Sequence, residues 1–357
     1  MLRKALSVRF ILALIAITMT ACTSRNMNDG SSAGRAETDF DRMLTWFPTD
    51  TETLLVANGP FVMSDFHLRK ETYADHEVTS EELEKLFDGL TLRLFFLKDG
   101  LLEKHLHGKR VSFALEASRH FRPPADLGEL PFEGCAVAVF EDALDDRRDA
   151  FMKEAARIAL RIDEIDGQKV AIFEETFQQD TWKSFIVFPQ KNVVLAASNE
   201  QFLREMLSRM RNPKGERALP TNLPEWKQVN TRAQFWGVRH FDKTQSKDDP
   251  TSPFGGKKTA NLPDDGAIGL TYECSPTKEH NATLTYLSSA KTQIGKIEER
   301  RFPSSSPSQG EDTAALHIQR RELEPGVIQS TYDLSRPRPL FWFFFVFSGS
   351  VGHAIYA

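Results

Sequence analysis

The sequence predicts an α+β fold of antiparallel, hairpin-rich sheets with a few packing helices, in which two similar halves are an open alternative. Three observations point there. Short apolar runs recur along the chain, bounded by Gly, Pro, Asn and Asp. Turns of a few residues join several successive runs, whereas parallel strands need crossovers of about a dozen residues or more. Helical spacing of apolar residues is confined to a few stretches, near 80–90, 145–160 and 199–211.

The folded part begins near Phe40, and Trp46-Phe47-Pro48-Thr49-Asp50 reads as a lead-in turn. Thr53 to Ala57 is a buried strand, ended by Gly59-Pro60. Thr79 or Ser80 caps a helix whose first turn holds Glu81 and Glu82, where carboxylates favour the helix dipole. Leu83, Leu86, Phe87 and Leu90 form its apolar face. Leu92 to Leu97 fits a strand or a helical continuation. Lys109 to Ala117 and Gly134 to Phe140 are strands. Asp145 to Leu160 is an amphipathic helix, with Phe151, Ala155, Ile158 and Ala159 on one side. Strands follow at Lys169–Phe173, Lys183–Phe188 and Asn192–Ala197, the last two joined as a hairpin. Ser198 or Asn199 then caps a helix carrying Phe202, Leu203, Met206, Leu207 and Met210 inward.

Residues 213–224 hold three prolines and a glycine and mark a boundary. Beyond it come a strand within Trp226–Phe241, a hairpin of Ala267–Cys274 with Ala282–Leu287, and another of Leu316–Leu323 with Val327–Leu334 about Pro325-Gly326. Asp50-Thr51 before one strand and Asn230-Thr231 before another form a thin internal echo. The organisation expected is a leader at 1–21, a tether at 22–39, an α+β domain at 40–212 and a β-rich second half at 225–357.

The start of the chain carries an address. Arg3, Lys4 and Arg9 precede the apolar run Phe10–Met19, which is shorter than the roughly 20 residues that span a bilayer. That is the plan of a cleaved signal peptide. Met19-Thr20-Ala21-Cys22 resembles the lipobox of bacterial lipoproteins, with Met19 where Leu is usual. The resemblance implies cleavage between Ala21 and Cys22, diacylglycerol on the Cys22 sulfur, and acylation of the new amine, with palmitate among the chains. An ordinary secretory signal or an uncleaved anchor is the alternative. Thr23 after the acceptor implies outer-membrane sorting by the enterobacterial rule. Thr23–Thr38 is polar and spans roughly 50 Å at full stretch, enough to hold a domain clear of lipid.

The formal charge is −5, and loss of the three basic leader residues takes it to −8. A mildly acidic protein is poorly matched to nucleic acid or an anionic membrane surface. Cys135 and Cys274 each sit at an apolar strand, as buried free thiols in preference to a disulfide. Leu340–Phe347 is almost wholly aromatic, and the 18 residues from Leu340 to the end hold no formal charge. A buried terminal element is favoured there over a docking tail or a spanning helix.

No catalytic or metal motif of high specificity appears. Ser275-Pro-Thr-Lys278 has the SxxK spelling but lies in a hairpin turn, not at a helix start. Gly255-Gly256-Lys257-Lys258-Thr259 lacks the spacing of a phosphate loop. His105 and His107 alternate as on a strand and offer two metal nitrogens without a third ligand. Asp145-Asp146, Asp248-Asp249 and Asp264-Asp265 match no calcium loop. Arg239-His240 follows Phe235-Trp236 and is a candidate pocket lining. The expectation is therefore a lipid-anchored cell-envelope protein, without catalytic residues, cofactor or metal, that binds another envelope component. An envelope hydrolase assembled from distant loops is the alternative, with a small-ligand sensor or carrier behind it.

Overall fold

The computed structural model describes residues 40–62, 79, 81–82, 100–119, 133–177, 180–212, 215–240, 267–274, 280–287 and 318–335. The chain divides into two compact units, Met1–Leu44 and Thr45–Ala357. In the first, residues 40–44 are helical. The second contains the sheet.

The fold is α+β. Twelve strands form one sheet: β1 Thr53–Val62, β2 Arg110–Arg119, β3 Glu133–Phe140, β4 Arg161–Ile165, β5 Gln168–Phe177, β6 Asp180–Gln190, β7 Val193–Ala197, β8 Phe235–Arg239, β9 Ala267–Cys274, β10 His280–Leu287, β11 Ile318–Glu324 and β12 Val327–Asp333. Their order is β11-β12-β10-β9-β8-β1-β2-β3-β7-β6-β5-β4, and every neighbouring pair is antiparallel. Besides residues 40–44 and the helical turn at 81–82, the helices among the described residues are α1 Gly100–Leu106, α2 Asp145–Ile158 and α3 Glu200–Arg211, with a 3-10 turn at Pro224–Gln228.

Strand pairing sorts the side chains onto two faces. Leu55, Glu116, Ala136, Ala196 and Ile186 are successive cross-strand partners on one face. Leu101, Leu102 and Leu106 of α1 and Phe151 and Ala155 of α2 join the core on that side. Phe151 is wholly buried and meets Phe173 and Phe188 at ring separations of 6.4 and 5.4 Å. Burial of each such ring contributes about 2–3 kcal/mol. The other face carries Leu54, Ala117, Cys135, Ala197 and Phe185 in register. Arg119 lies on this second face, two residues from Ala117, and its contact with Phe202 and Glu205 places α3 there.

Local chemistry explains the element ends. Asn199 is the cap of α3, its side chain accepting from the Phe202 N–H at 3.0 Å, while Ser198 instead bonds the Gly134 backbone. Thr79 and Glu82 form a reciprocal capping box, each accepting from the other's backbone N–H. The remainder of the helix expected near 80–90 lies outside the described residues, as do Leu92–Leu97. His105 and His107 are not on a strand. Leu102 and Leu106 are four apart and both buried, so α1 runs to Leu106 and His107 falls in the turn after it. The charged strand β4 was not expected, because only Ile162 and Ile165 in it are apolar.

The two parts of the sheet repeat one plan. From the seam between β1 and β8, one side runs β1-β2-β3-β7-β6 and the other β8-β9-β10-β12-β11. Each is a three-strand meander followed by a hairpin whose second strand pairs with the third strand of the meander. In both hairpins the register shifts by one residue beside a two-residue turn: Val187↔Leu195 gives way to Gln190↔Val193, and Glu322↔Ile328 to Glu324↔Val327. Lys191-Asn192 occupies the first turn and Pro325-Gly326 the second, with Gly326 supplying a φ of 83°. The first side adds α2, β4 and β5 between meander and hairpin.

At the seam Leu55 pairs with Gly237. A Cβ at position 237 would lie 2.6 Å from Leu55 Cδ2 and 2.8 Å from the Leu54 carbonyl oxygen, so only glycine fits there. The outer strands β4 and β11 are rich in charged residues, three of five in β4 and four of seven in β11. Such residues blunt edge-to-edge aggregation.

Candidate functional site

The charged groups of the second face gather along one rim of the sheet, where β1 and β3 begin and β2 and β8 end. Arg119 and Glu133 are cross-strand partners at that rim. The guanidinium donates to Asp50 Oδ1 at 3.1 Å, to Glu205 Oε2 and Oε1 at 2.8 and 3.0 Å, and through Nε to Glu133. The Phe202 ring lies 5.2 Å from its central carbon. Burial works against the Arg119 charge. The Glu205 hydrogen bonds and the Asp50, Glu133 and Glu205 charges outweigh it and hold the group above its ordinary range. One cation thus serves three carboxylates from the lead-in turn, β3 and α3.

Further along the rim the Glu52 N–H bonds the Ser118 carbonyl at 3.0 Å, and the His240 N–H bonds the Glu52 carbonyl at 2.8 Å. These bonds extend the ladder past the strand ends. The His240 imidazole Nδ1 meets Glu225 Oε1 at 2.5 Å. Glu225 sits in the 3-10 turn and is 1% exposed, whereas the His240 side chain is 37% exposed. In the tautomer with hydrogen on Nδ1 the imidazole donates to this carboxylate, and Nε2 is its second ring nitrogen. Trp226, next in the turn, stacks edge-on against Trp236 and lies under Arg217.

Glu116 stands apart on the first face. It is 2% exposed, and its Oε1 has no hydrogen-bond partner. Burial raises its pKa to about 8, so the carboxyl is protonated at neutral pH. Burial also holds the Cys135 thiol well above its usual range, with a further contribution from Glu116 once that carboxyl ionises. Cys135 is a free thiol. Three strands separate β3 from β9, which is about 19 Å at 4.8 Å per step, far beyond the roughly 7 Å limit for joining Cys135 to Cys274.

The sequence-predicted site residues are not brought together. Ala21 and Cys22, Gly255–Thr259, Ser275–Lys278, Asp248-Asp249, Asp264-Asp265 and Leu340–Ala357 lie outside the described residues. Asp145 and Asp146 occupy the first turn of α2. His105 pairs with Glu154 at 2.9 Å, beside Lys104 on the same carboxylate, and packs edge-on to Phe151. The Lys104 hydrogen bond, helped by the His105 bond and the charges of both groups, lowers the Glu154 pKa against the opposing effect of burial. No metal-holding group of three ligands occurs among the described residues. His240 was singled out in the sequence, but its partner Glu225 was not. Arg119, Glu133 and Glu205 were also missed. Glu116 and Arg119 had one visible signal, a charge inside or at the end of an otherwise apolar strand.

No protein family matches the chain, and no curated protein matches it. One solved structure, described as crystal form I of TP0453, aligns over 87% of this chain and 97% of its own, with 12% identity and a TM-score of 0.43. A likeness of that degree assigns neither fold nor function.

Proposed function

We propose that this chain is a lipid-anchored protein of the bacterial cell envelope, held at the outer membrane through Cys22 and facing the periplasm, and that it works by binding another envelope component. Met19-Thr20-Ala21-Cys22 followed by the polar tether carries this reading. The broad sheet with charged edges supports it as a rigid, self-avoiding platform. Labelled palmitate should enter the wild type and be lost from Cys22→Ala. Equal labelling of the two would remove the anchor. In-cell cross-linking through the folded part should then recover a reproducible envelope partner.

A second reading, a hydrolase, is favoured by the Glu225–His240 pair alone. A buried carboxylate that orients a half-exposed imidazole is the base-and-orienter portion of a catalytic triad. If that reading holds, His240→Gln abolishes hydrolysis of p-nitrophenyl esters by the purified protein. Equal rates in variant and wild type dismiss it.

A further inference from the structure

Glu116 projects from the first face of the sheet, between Leu55 of β1 and Ala136 of β3. It is 2% exposed, its Oε1 lacks a hydrogen-bond partner, and its carboxyl is neutral at pH 7. Buried polar groups in folded proteins are paired as a rule, so an orphaned carboxyl calls for a partner from outside the chain. The side chains beside it are small. Ala136 and Ala196 continue its rung across β3 and β7, and Ser118 and Gly134 form the next rung toward the rim. A Cβ at Gly134 would come no nearer than 3.4 Å to any neighbour, which is ordinary contact, so a methyl group fits there. On the other flank Leu55 lies toward β8, with its Cδ2 over Gly237. α2 rests farther along the sheet, on β4 and β5. Small residues alone would suit a closely packed helix. Ser118 and Ala196 are part-exposed, however, so solvent reaches this floor even though the carboxyl itself is covered.

We propose that this floor binds a small, flat, uncharged molecule through an amide edge, an N–H beside a C=O, with Glu116 as the group that recognises it. The site goes beyond the reading of the chain as an envelope interaction protein and does not rest on it. Glu116 sets the chemistry. A protonated carboxyl carries an O–H donor and a C=O acceptor on one edge, and an amide edge offers the complementary acceptor and donor, so two hydrogen bonds form together. A cationic ligand would require Glu116 to ionise away from water, at the desolvation cost of both charges. An anionic ligand would find no cation on Ser118, Gly134, Ala136 or Ala196.

Shape points the same way. The floor crosses β2, β3 and β7, two strand spacings or about 10 Å, and runs one rung, about 7 Å, along the strands. No side chain on it other than Glu116 is longer than serine. A single ring lying flat on the alanines would place its amide edge against the carboxyl. The Ser118 hydroxyl, two residues on along β2, offers a further polar contact at the open side.

The test uses 2-pyridone, a one-ring lactam, and N-methyl-2-pyridone, which has the same ring and carbonyl but no N–H. Binding to the full-length protein in detergent is followed by saturation-transfer NMR, with protein-free micelles subtracted. Wild type should bind 2-pyridone saturably and the N-methyl compound about tenfold more weakly or worse, the loss expected for one missing hydrogen bond at a buried partner. Glu116→Met should weaken 2-pyridone by a similar factor. Methionine leaves no orphaned polar group, so its urea midpoint should be no lower than that of wild type. Glu116→Gln should retain binding, because a carboxamide pairs with an amide edge as the neutral carboxyl does. Absence of saturable 2-pyridone binding, equal affinity for the N-methyl compound, or a methionine variant that binds like wild type would overturn the proposal. The comparison of the two pyridones on wild type needs no variant to fold. Palmitate labelling and cross-linking test the anchor and the envelope partner separately.

Discussion

Replacing Arg119 with methionine should cost about 3–5 kcal/mol of folding stability, the range for removing one partner of a buried ion pair. The loss comes less from the vanished attraction than from what remains. Glu133 is 7% exposed and would keep its charge at the end of β3 without a cation, while Asp50 and Glu205 lose the group that draws them together. α3 would also lose its polar tie to the rim. Urea unfolding at pH 7 measures the effect as a fall in midpoint. The deficit should shrink as pH falls, because an unpaired carboxylate escapes the penalty by taking up a proton. Adding Glu133→Gln to the methionine variant should restore part of the loss. A methionine variant as stable as wild type would mean that α3 is held by its apolar side alone.

Glu116 should make the protein less stable as pH rises. Its pKa stands near 4.5 when unfolded and near 8 when folded, so the folded state binds the extra proton between those values. The contribution is whole below pH 4.5 and is lost progressively up to pH 8. At about 1.4 kcal/mol per pKa unit, the loss is somewhat over ~3 kcal/mol at pH 7 and between ~4 and ~5 kcal/mol at pH 8. Glu116→Gln keeps the shape and cannot ionise. Urea midpoints taken from pH 5 to pH 8 should therefore fall much less in the variant than in wild type. Parallel slopes would show that the carboxyl meets solvent or a partner when it ionises.

The strands that sequence made legible are those whose burial is written in composition. Gly134–Phe140 is apolar on both sides because α1 and α2 join the core on one face and α3 packs on the other. The hairpins at Lys191-Asn192 and Pro325-Gly326 were legible from turn chemistry. β4 was not, since an edge strand needs charge rather than apolar alternation. α1 was obscured because its histidines suggested a period of two, while the deciding contact was between Leu102 and Leu106. The charged rim was invisible for a different reason. Asp50, Arg119, Glu133 and Glu205 are separated by up to 155 positions and meet only after β1, β2, β3 and α3 are in place. Glu225 and His240 are closer in sequence, but one belongs to a connector and the other to a strand end. Pairing of that kind has no periodic signature.

The seam has a consequence of its own. Where a repeated plan meets itself at an axis, the two equivalent positions compete for one volume. Leu55 and Gly237 divide that volume wholly in favour of one side. Shortening Leu55 would relieve only one of the two clashes, because the Leu54 carbonyl oxygen would still meet a Cβ at position 237. The two equivalent positions cannot both carry leucine, so the difference between the repeats reaches the line that joins them.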